Sequence, residues 1–167
     1  PQQNIAHATT TFMAQNRGAG KIKRMKKGFF SSVFLELAYT SVVALITFVF
    51  ARQIMGLFVG AESEEVVSLG VSYLKLISIM YVMPAATNII QGFFRGLGDL
   101  KVTLISTILN MSARFFTAWL MIHILHGGFD RLAWANFFGW VAMLVFQIPM
   151  ILTRWRKEQE VSEIQGK

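Results

Sequence analysis

The chain has 167 residues, of which 54% are hydrophobic and only 15% are charged, and it contains no cysteine. Soluble domains carry about 25% charged residues, so this composition favours a membrane protein, while the lack of cysteine excludes a disulfide framework or a thiol-based metal site. The net charge of +7 comes mainly from Lys and Arg at the ends of apolar segments, and this distribution argues against a nucleic-acid-binding surface.

The chain divides into four parts by composition. Residues 1–16 have neither an initiator Met nor a signal peptide, and we interpret them as the end of a transmembrane helix, so we expect the chain to be a fragment. Residues 17–28 carry six Lys and Arg and predict a basic cytoplasmic loop. Residues 29–155 predict a segment of four transmembrane helices, and residues 156–167 predict a polar cytoplasmic tail.

Four apolar segments pass the length test for a bilayer span, which needs about 20 mostly apolar residues. They cover residues 29–58, 66–94, 102–125 and 132–155. A strand of a membrane barrel needs only about 9–11 residues and alternates apolar with polar positions, a pattern that these segments lack. The predicted fold class is therefore all-α: a polytopic membrane helix bundle with four full transmembrane helices and the end of a preceding one.

The connections between the predicted spans differ in charge. Counting Lys and Arg from the first connection to the C-terminal segment gives six, none, two, one and three, an alternation in step with the crossings. Cytoplasmic loops carry the excess of Lys and Arg. We therefore predict that the basic loop, the loop at 95–101 and the C-terminus are cytoplasmic, while residues 60–65 and 126–131 face outward. Trp134 and Trp155 near the ends of the last span fit interfacial positions.

The second predicted span contains a stripe of candidate cavity residues, Pro84, Asn88 and Gln91. Spacings of four and three residues place them on one face of a helix. Proline removes a backbone hydrogen bond, so we expect a kink at Pro84, which is needed either for packing or for a functional hinge. The stripe predicts one wall of a substrate cavity.

Three further candidates lie in the other spans, where ionisable groups are costly to bury. Arg114 lies close to the middle of the third span, facing either a water-filled substrate cavity or an ion-pair partner. Glu36 lies about two turns into the first span and has two interpretations, a proton or cation site and a partner for a nearby Lys or Arg. Asn110 can hydrogen-bond across helices.

Sequence motifs of catalysis are incomplete throughout. The run Gly18-Ala-Gly20-Lys21 lacks the first glycine of a phosphate loop and has Ile22 in place of the Ser or Thr that binds magnesium. His123 and His126 have no third ligand that would complete a metal site. We therefore expect no catalytic residues, no metal site and no cofactor, and transport driven by an ion gradient.

Two motifs carry a family resemblance. Residues 14–21, AQNRGAGK, resemble the junction "AQN-x-GAGK" of multidrug and toxic compound extrusion (MATE) transporters, and residues 91–99, QGFFRGLGD, are similar to the "RG-x-GD" loop of that family. The runs YLKLI at 73–77 and Gly139-Trp140 also fit its bacterial NorM/DinF-like branch. The resemblance covers essentially the whole chain and places it in the C-terminal portion of such a transporter.

The resemblance implies part of a twelve-helix protein built from two six-helix lobes, here the end of the eighth helix and helices nine to twelve. It implies a secondary antiporter of the bacterial plasma (inner) membrane that exports organic, often cationic drugs or toxins in exchange for sodium ions or protons. The expected partners are membrane lipid, the N-terminal lobe and a small organic substrate. The best-known coupling acid belongs to the N-terminal lobe, and the span that matches the tenth helix has no Asp or Glu, so we expect the coupling-ion site outside this fragment.

Two alternatives remain open from the sequence. A flippase for lipid-linked precursors or polysaccharides of the same superfamily has a similar architecture with a more cationic cavity, which Arg114 and the basic excess would suit. The second alternative is a free-standing membrane scaffold of four helices.

Overall fold

The computed structural model describes residues 2–58, 64–124 and 132–165, and these residues are almost entirely helical. Long apolar segments fold as helices in a membrane because a helix satisfies its backbone N–H and C=O groups within the segment. Within the described ranges the helices are α1 (Gln2–Gly18), α2 (Ile22–Val49), α3 (Ala51–Phe58), α4 (Glu64–Met80), α5 (Val82–Gly96), α6 (Leu100–His123) and α7 (Leu132–Gln165).

Three of these helices are long and apolar enough to cross a membrane alone: α2, α6 and α7, with mean hydropathies of 1.9, 1.2 and 1.7. The helices α4 and α5 pass the same test together as one bent span, which brings the count to four. The prediction of an all-α membrane helix bundle is confirmed. The predicted outward loop at 126–131 and most of the one at 60–65 lie outside the described residues.

The bend between α4 and α5 has a local cause in Pro84. The two helices meet at 46°, and the break lies at Tyr81, three residues before the proline. Because Pro84 has no N–H, the carbonyl of Met80 loses its usual partner four residues on. The neighbouring bond from the N–H of Ala85 to the carbonyl of Tyr81 is long, at 3.4 Å. The kink expected from the sequence is present.

The predicted basic loop at 17–28 is much shorter in the structure. Helix α1 continues to Gly18 and α2 begins at Ile22, so a turn of three residues, 19–21, separates them. Gly20 adopts a φ of +67°, a left-handed conformation that glycine tolerates best and that commonly ends a helix. Most of the Lys and Arg therefore lie on the first two turns of α2 rather than on a loop.

Helix boundaries at the far ends also differ from the prediction. The first span ends at Val49 rather than at residue 58, and α3 follows after a turn at Phe50. The last helix continues ten residues past Trp155, to Gln165, so the described part of the predicted tail is helical. The extension has a tertiary contact, because Glu158 is only 6% exposed and pairs with Arg17 of α1.

The aromatic core joins α2, α5 and α7 near the α1–α2 turn. The ring centroids of Phe29 and Phe93 are 5.5 Å apart, and that of Trp155 lies 4.8 Å from Phe93 and 5.9 Å from Phe29. Aromatic pairs at such distances add to the energy of burial. Trp155 is half-buried and packs against the core, while its interfacial position in the membrane stays a prediction.

Helices α1 and α5 approach closely at two glycines, Gly92 and Gly96. A Cβ atom added at Gly92 would stand 2.6 Å from the carbonyl oxygen of Ala6, and one at Gly96 would stand 2.6 Å from that of Thr10. The hydroxyl of Thr10 also donates to the carbonyl of Gly92 over 3.1 Å. Glycines four residues apart let membrane helices pack backbone to backbone.

Candidate functional site

The stripe of Pro84, Asn88 and Gln91 lies on α5 with all three residues half-buried. Oε1 of Gln91 accepts a hydrogen bond from Nη2 of Arg95 over 3.0 Å, one turn along the same helix. This bond places the amide of Gln91 beside a guanidinium. The stripe and the adjacent Arg95 can therefore present both an amide and a guanidinium along α5.

Asn110 and Arg114 of helix α6 lie against Gly139 of α7. A Cβ atom added at Gly139 would overlap Cγ of Arg114 and would stand 3.1 Å from the carbonyl oxygen of Asn110. The stem of Arg114 therefore lies along α7, yet the residue as a whole is exposed on the surface of the described chain. Nδ2 of Asn110 is buried and has no hydrogen-bond partner among the described residues. The geometry makes the Arg114 guanidinium accessible in the membrane-spanning region.

Glu36 differs from the other candidates because it is enclosed. The residue is 1% exposed, and both carboxyl oxygens are buried without a hydrogen-bond partner in the described part of the chain. The sequence left open a pairing with a nearby Lys or Arg, but no described cation lies within ion-pair distance of it. Glu36 therefore does not line an open cavity in this conformation.

Sequence reasoning missed Gln147 on α7. It is 0% exposed, and neither Nε2 nor Oε1 has a partner in the described ranges. A buried polar atom is normally hydrogen-bonded. The available signal was a lone amide within a long apolar segment.

An ion-pair network at the end of α7 was also missed, because it lies in the predicted tail. Oε2 of Glu158 lies 3.1 Å from Nε of Arg17, and Oε1 lies 3.3 Å from Nε of Arg154. Nη1 of Arg17 also donates to the carbonyl of Leu97 over 2.9 Å. The network ties the end of α7 to the α1–α2 and α5–α6 turns.

A groove of about 600 Å³ runs between α1 and α2. Its floor is mainly apolar, and one end carries Arg24 and Lys27 beside Ser31. The guanidinium carbon of Arg24 lies 5.9 Å from the centroid of the Phe12 ring, which also lines the groove. None of the six predicted cavity residues lines it. The structure thus brings the stripe together on α5 but leaves Glu36 on α2 and both Asn110 and Arg114 on α6.

Comparison with known sequences gives a consistent set of relatives. A family model described as MatE matches residues 2–120. A protein of Mannheimia succiniciproducens named "Probable multidrug resistance protein NorM" is 30% identical over 105 residues, which cover 63% of this chain and 22% of that protein. A Bacillus cereus protein of the same name is 28% identical over 129 residues, which cover 77% of this chain and 28% of that protein.

Solved structures share the fold. One, described as the inward-facing conformation of a multidrug resistance MATE family transporter of the MOP superfamily, matches with a TM-score of 0.78 and 21% identity, over 91% of this chain and 36% of that one. A eukaryotic MATE transporter matches with a TM-score of 0.77 and 22% identity, over 98% of this chain and 37% of that one. The chain thus spans about a quarter of the curated relatives and about a third of these structures.

Proposed function

We propose, from the premise that this chain belongs to the MATE family, that it forms part of a secondary antiporter in the full-length protein. The antiporter exports organic, often cationic drugs or toxins in exchange for sodium ions or protons. The observation that carries the proposal is the family match over residues 2–120, which spans α1 to α5 and most of α6. The curated relatives are named as multidrug resistance proteins, which supports transport rather than enzyme catalysis or a scaffold of four helices.

Alternating access requires helices that move against one another, and the bent span supports such motion. The 46° break between α4 and α5 separates two helical arms. Helix α5 is held to α1 by the close approach at Gly92, and α4 contacts α3 where the side chain of Met55 lies over Gly70. A break of this kind lets one arm tilt while the other stays packed, as in transporters with broken helices.

The surface of the described chain supports a partner within the membrane. Large apolar side chains are exposed along α2 and α6, including Phe34 at 75% and Phe115 at 76%. Surface of this kind suits lipid or the other half of a transporter. We propose that lipid covers part of it and that the N-terminal lobe covers the rest.

Within that arrangement the exposed Arg114 and the stripe on α5 are the proposed contacts to substrate. Arg114 can reach beyond its own bundle, since its guanidinium is not enclosed by the described residues. Asn88 and Gln91 supply uncharged polar groups of the kind that orient a ligand in a mainly apolar cavity. The proposed location is the bacterial plasma membrane, with the C-terminus in the cytoplasm.

The exposed cation favours one alternative substrate class. A guanidinium in the membrane-spanning region attracts anions and repels cations, so Arg114 would suit the phosphate of a lipid-linked precursor. We keep a flippase for such precursors as the second candidate function.

A transport assay on the full-length protein distinguishes the antiporter from the flippase. Inverted membrane vesicles that contain the protein should accumulate a fluorescent cationic dye when energised, and collapse of the proton or sodium gradient should stop the accumulation. Empty-vector vesicles are the control. Absence of dye transport, combined with a cell-wall defect in cells that lack the gene, would replace the antiporter with the flippase.

A further inference from the structure

The enclosed carboxyl of Glu36 lies on the buried face of α2, within a span of mean hydropathy 1.9. The residue is 1% exposed, and its two oxygens have no hydrogen-bond donor among the described groups. An ionised carboxylate without a partner is very costly in such surroundings, whereas a neutral carboxyl costs far less. Both oxygens are enclosed by the described residues in this conformation.

The depth of Glu36 in the bundle coincides with that of Gln147. The 5.9 Å contact between Phe29 and Trp155 sets the level of α2 against α7. Glu36 lies seven residues along α2 from Phe29, about 10.5 Å at the helical rise, and Gln147 lies eight residues before Trp155 on α7, about 12 Å. Since α2 leaves this aromatic layer and α7 returns to it, both side chains lie at one level on the same side of the layer.

Several of the other residues at this level are small or apolar, although Thr87 and Asn88 of α5 are polar. The bond from Nε2 of Gln2 to Oγ1 of Thr40 spans 2.9 Å and sets α1 against α2, so Ala6 lies opposite Glu36. On α5 the same level falls near Ala85 and Ile89, which are 0% and 1% exposed. Glu36 and Gln147 are therefore two buried side chains at similar depth, each without a hydrogen-bond partner among the described residues.

Charged and titratable groups on α2 and on the helices packed against it are engaged or directed elsewhere. His7 and the Lys residues at the start of α2 are exposed, and Tyr39 lines a separate groove with Tyr81. Six other cations on these helices have partners in the structure: Arg24 with Phe12, Arg52 with Glu64, Lys75 with Phe48, Arg95 with Gln91, and Arg17 and Arg154 with Glu158. Arg156 and Lys157 of α7 are exposed.

We propose that Glu36 is a proton-binding site inside this bundle, and that the amide of Gln147, which is not bonded to it in this conformation, hydrogen-bonds to the carboxyl when the proton is bound. The proposal rests on the proposed antiport function and adds a site to any coupling acid elsewhere in the full-length protein. A proton needs one carboxyl, whereas sodium needs several oxygen ligands, often from unwound backbone. Helix α2 is continuous from Ile22 to Val49, and the described residues hold no group of three acids or histidines that could bind a metal ion.

The test is infrared difference spectroscopy of the purified full-length protein across a pH titration. Wild-type protein should show the C=O band of a protonated carboxyl in an apolar environment. Glu36→Gln should lose that band, and the matched control Glu65→Gln, at an exposed acid, should keep it. The difference between the wild-type and Glu36→Gln spectra isolates this residue from any other protonated carboxyl of the full-length protein, and a difference spectrum without such a band overturns the proposal.

Two further variants and one salt comparison complete the test. If Glu36→Gln does not fold, Glu36→Asp should retain a carboxyl band at a shifted frequency, and an unshifted band overturns the assignment. Gln147→Leu should shift the band, since the hydrogen-bonding group at the same depth is lost, and an unshifted band removes Gln147 from the site. Loss of the band on adding sodium but not potassium would make this a sodium site and overturn the proton proposal.

The infrared result is independent of transport, so the two proposals fail separately. A Glu36 band without any dye transport would leave the proton site intact and remove the antiporter. Dye transport without a Glu36 band would leave the antiporter intact and remove the proton site.

Discussion

Arg17 and Glu158 are 141 positions apart in the sequence, and Nε of Arg17 lies 3.1 Å from Oε2 of Glu158. The same guanidinium donates to the carbonyl of Leu97, so one side chain joins the ends of α1, α5 and α7. Arg154 approaches the other carboxylate oxygen at 3.3 Å. Glu158 therefore holds two cations close to the α1–α2 turn.

Loss of the Glu158 charge should destabilise this end of the bundle. In Glu158→Gln the two guanidinium groups face each other without a carboxylate, and we expect a loss of about 1–3 kcal/mol in the free energy of unfolding. The measurement is the thermal unfolding midpoint of the full-length protein in detergent. Glu160→Gln is the matched control, because Glu160 is exposed on the same helix. Equal midpoints for the two variants would show that the network does not contribute.

A side chain at Gly92 should separate α1 from α5. Gly92→Val places a Cβ atom 2.6 Å from the carbonyl oxygen of Ala6, closer than non-bonded atoms normally approach. Overpacking typically costs about 1–3 kcal/mol, and a clash with rigid backbone belongs at the upper end. Gly56→Val is the control, because an added Cβ at Gly56 meets no atom within 4 Å. We expect a lower yield of folded protein only for Gly92→Val, and a normal yield would contradict the close approach.

Replacement of Arg114 should impair transport without preventing membrane insertion. Its guanidinium is exposed, so Arg114→Ala leaves no buried charge unpaired in the described chain. The guanidinium can donate to a neutral acceptor oxygen of an organic dye, and loss of one such hydrogen bond of about 1.4 kcal/mol corresponds to about a tenfold lower transport efficiency. Dye transport is measured at matched expression, with Arg52→Ala as the control, since Arg52 pairs with the exposed Glu64. Unchanged transport would show that Arg114 only packs against Gly139 and does not contact substrate.

The predicted orientation is tested by cysteine labelling in intact cells. The chain has no cysteine of its own, so single substitutions give a clean background for this chain. Ser63→Cys and Gly128→Cys should react with a membrane-impermeant thiol reagent added outside, and Lys23→Cys should react only after the cells are opened. Labelling of Lys23→Cys in intact cells would reverse the topology.

The bend and the helix packing differ in how far local sequence could predict them. The kink near Pro84 follows from one missing N–H, so it was expected before the structure was known. The glycine pair at Gly92 and Gly96 was read only as part of a family motif, although its four-residue spacing predicts close helix packing. Its partner on α1 is more than 80 residues away, and no local pattern identifies that partner.

Among the candidate residues, too, some features follow from local sequence and others depend on tertiary contacts. The spacing of Asn88 and Gln91 predicted one helix face, and the structure has them on one helix, while their role as a cavity wall stays a prediction. Hydropathy alone did not reveal that Glu36 and Gln147 would be enclosed at one depth. Their burial comes from α1, α5 and α7 packing around them, which depends on contacts between distant segments.

The sequence by itself determined the membrane class, the four candidate spans and the alternating charge of their connections, because these depend on local composition and length. It also placed the break in the second span, through a single proline. Only the tertiary structure decided that the basic segment begins α2, that Trp155 packs against the core, and that Glu158 binds Arg17. It also decided which polar groups are enclosed, leaving Arg114 exposed and Glu36 buried, because burial is set by neighbours that the chain brings together from far apart.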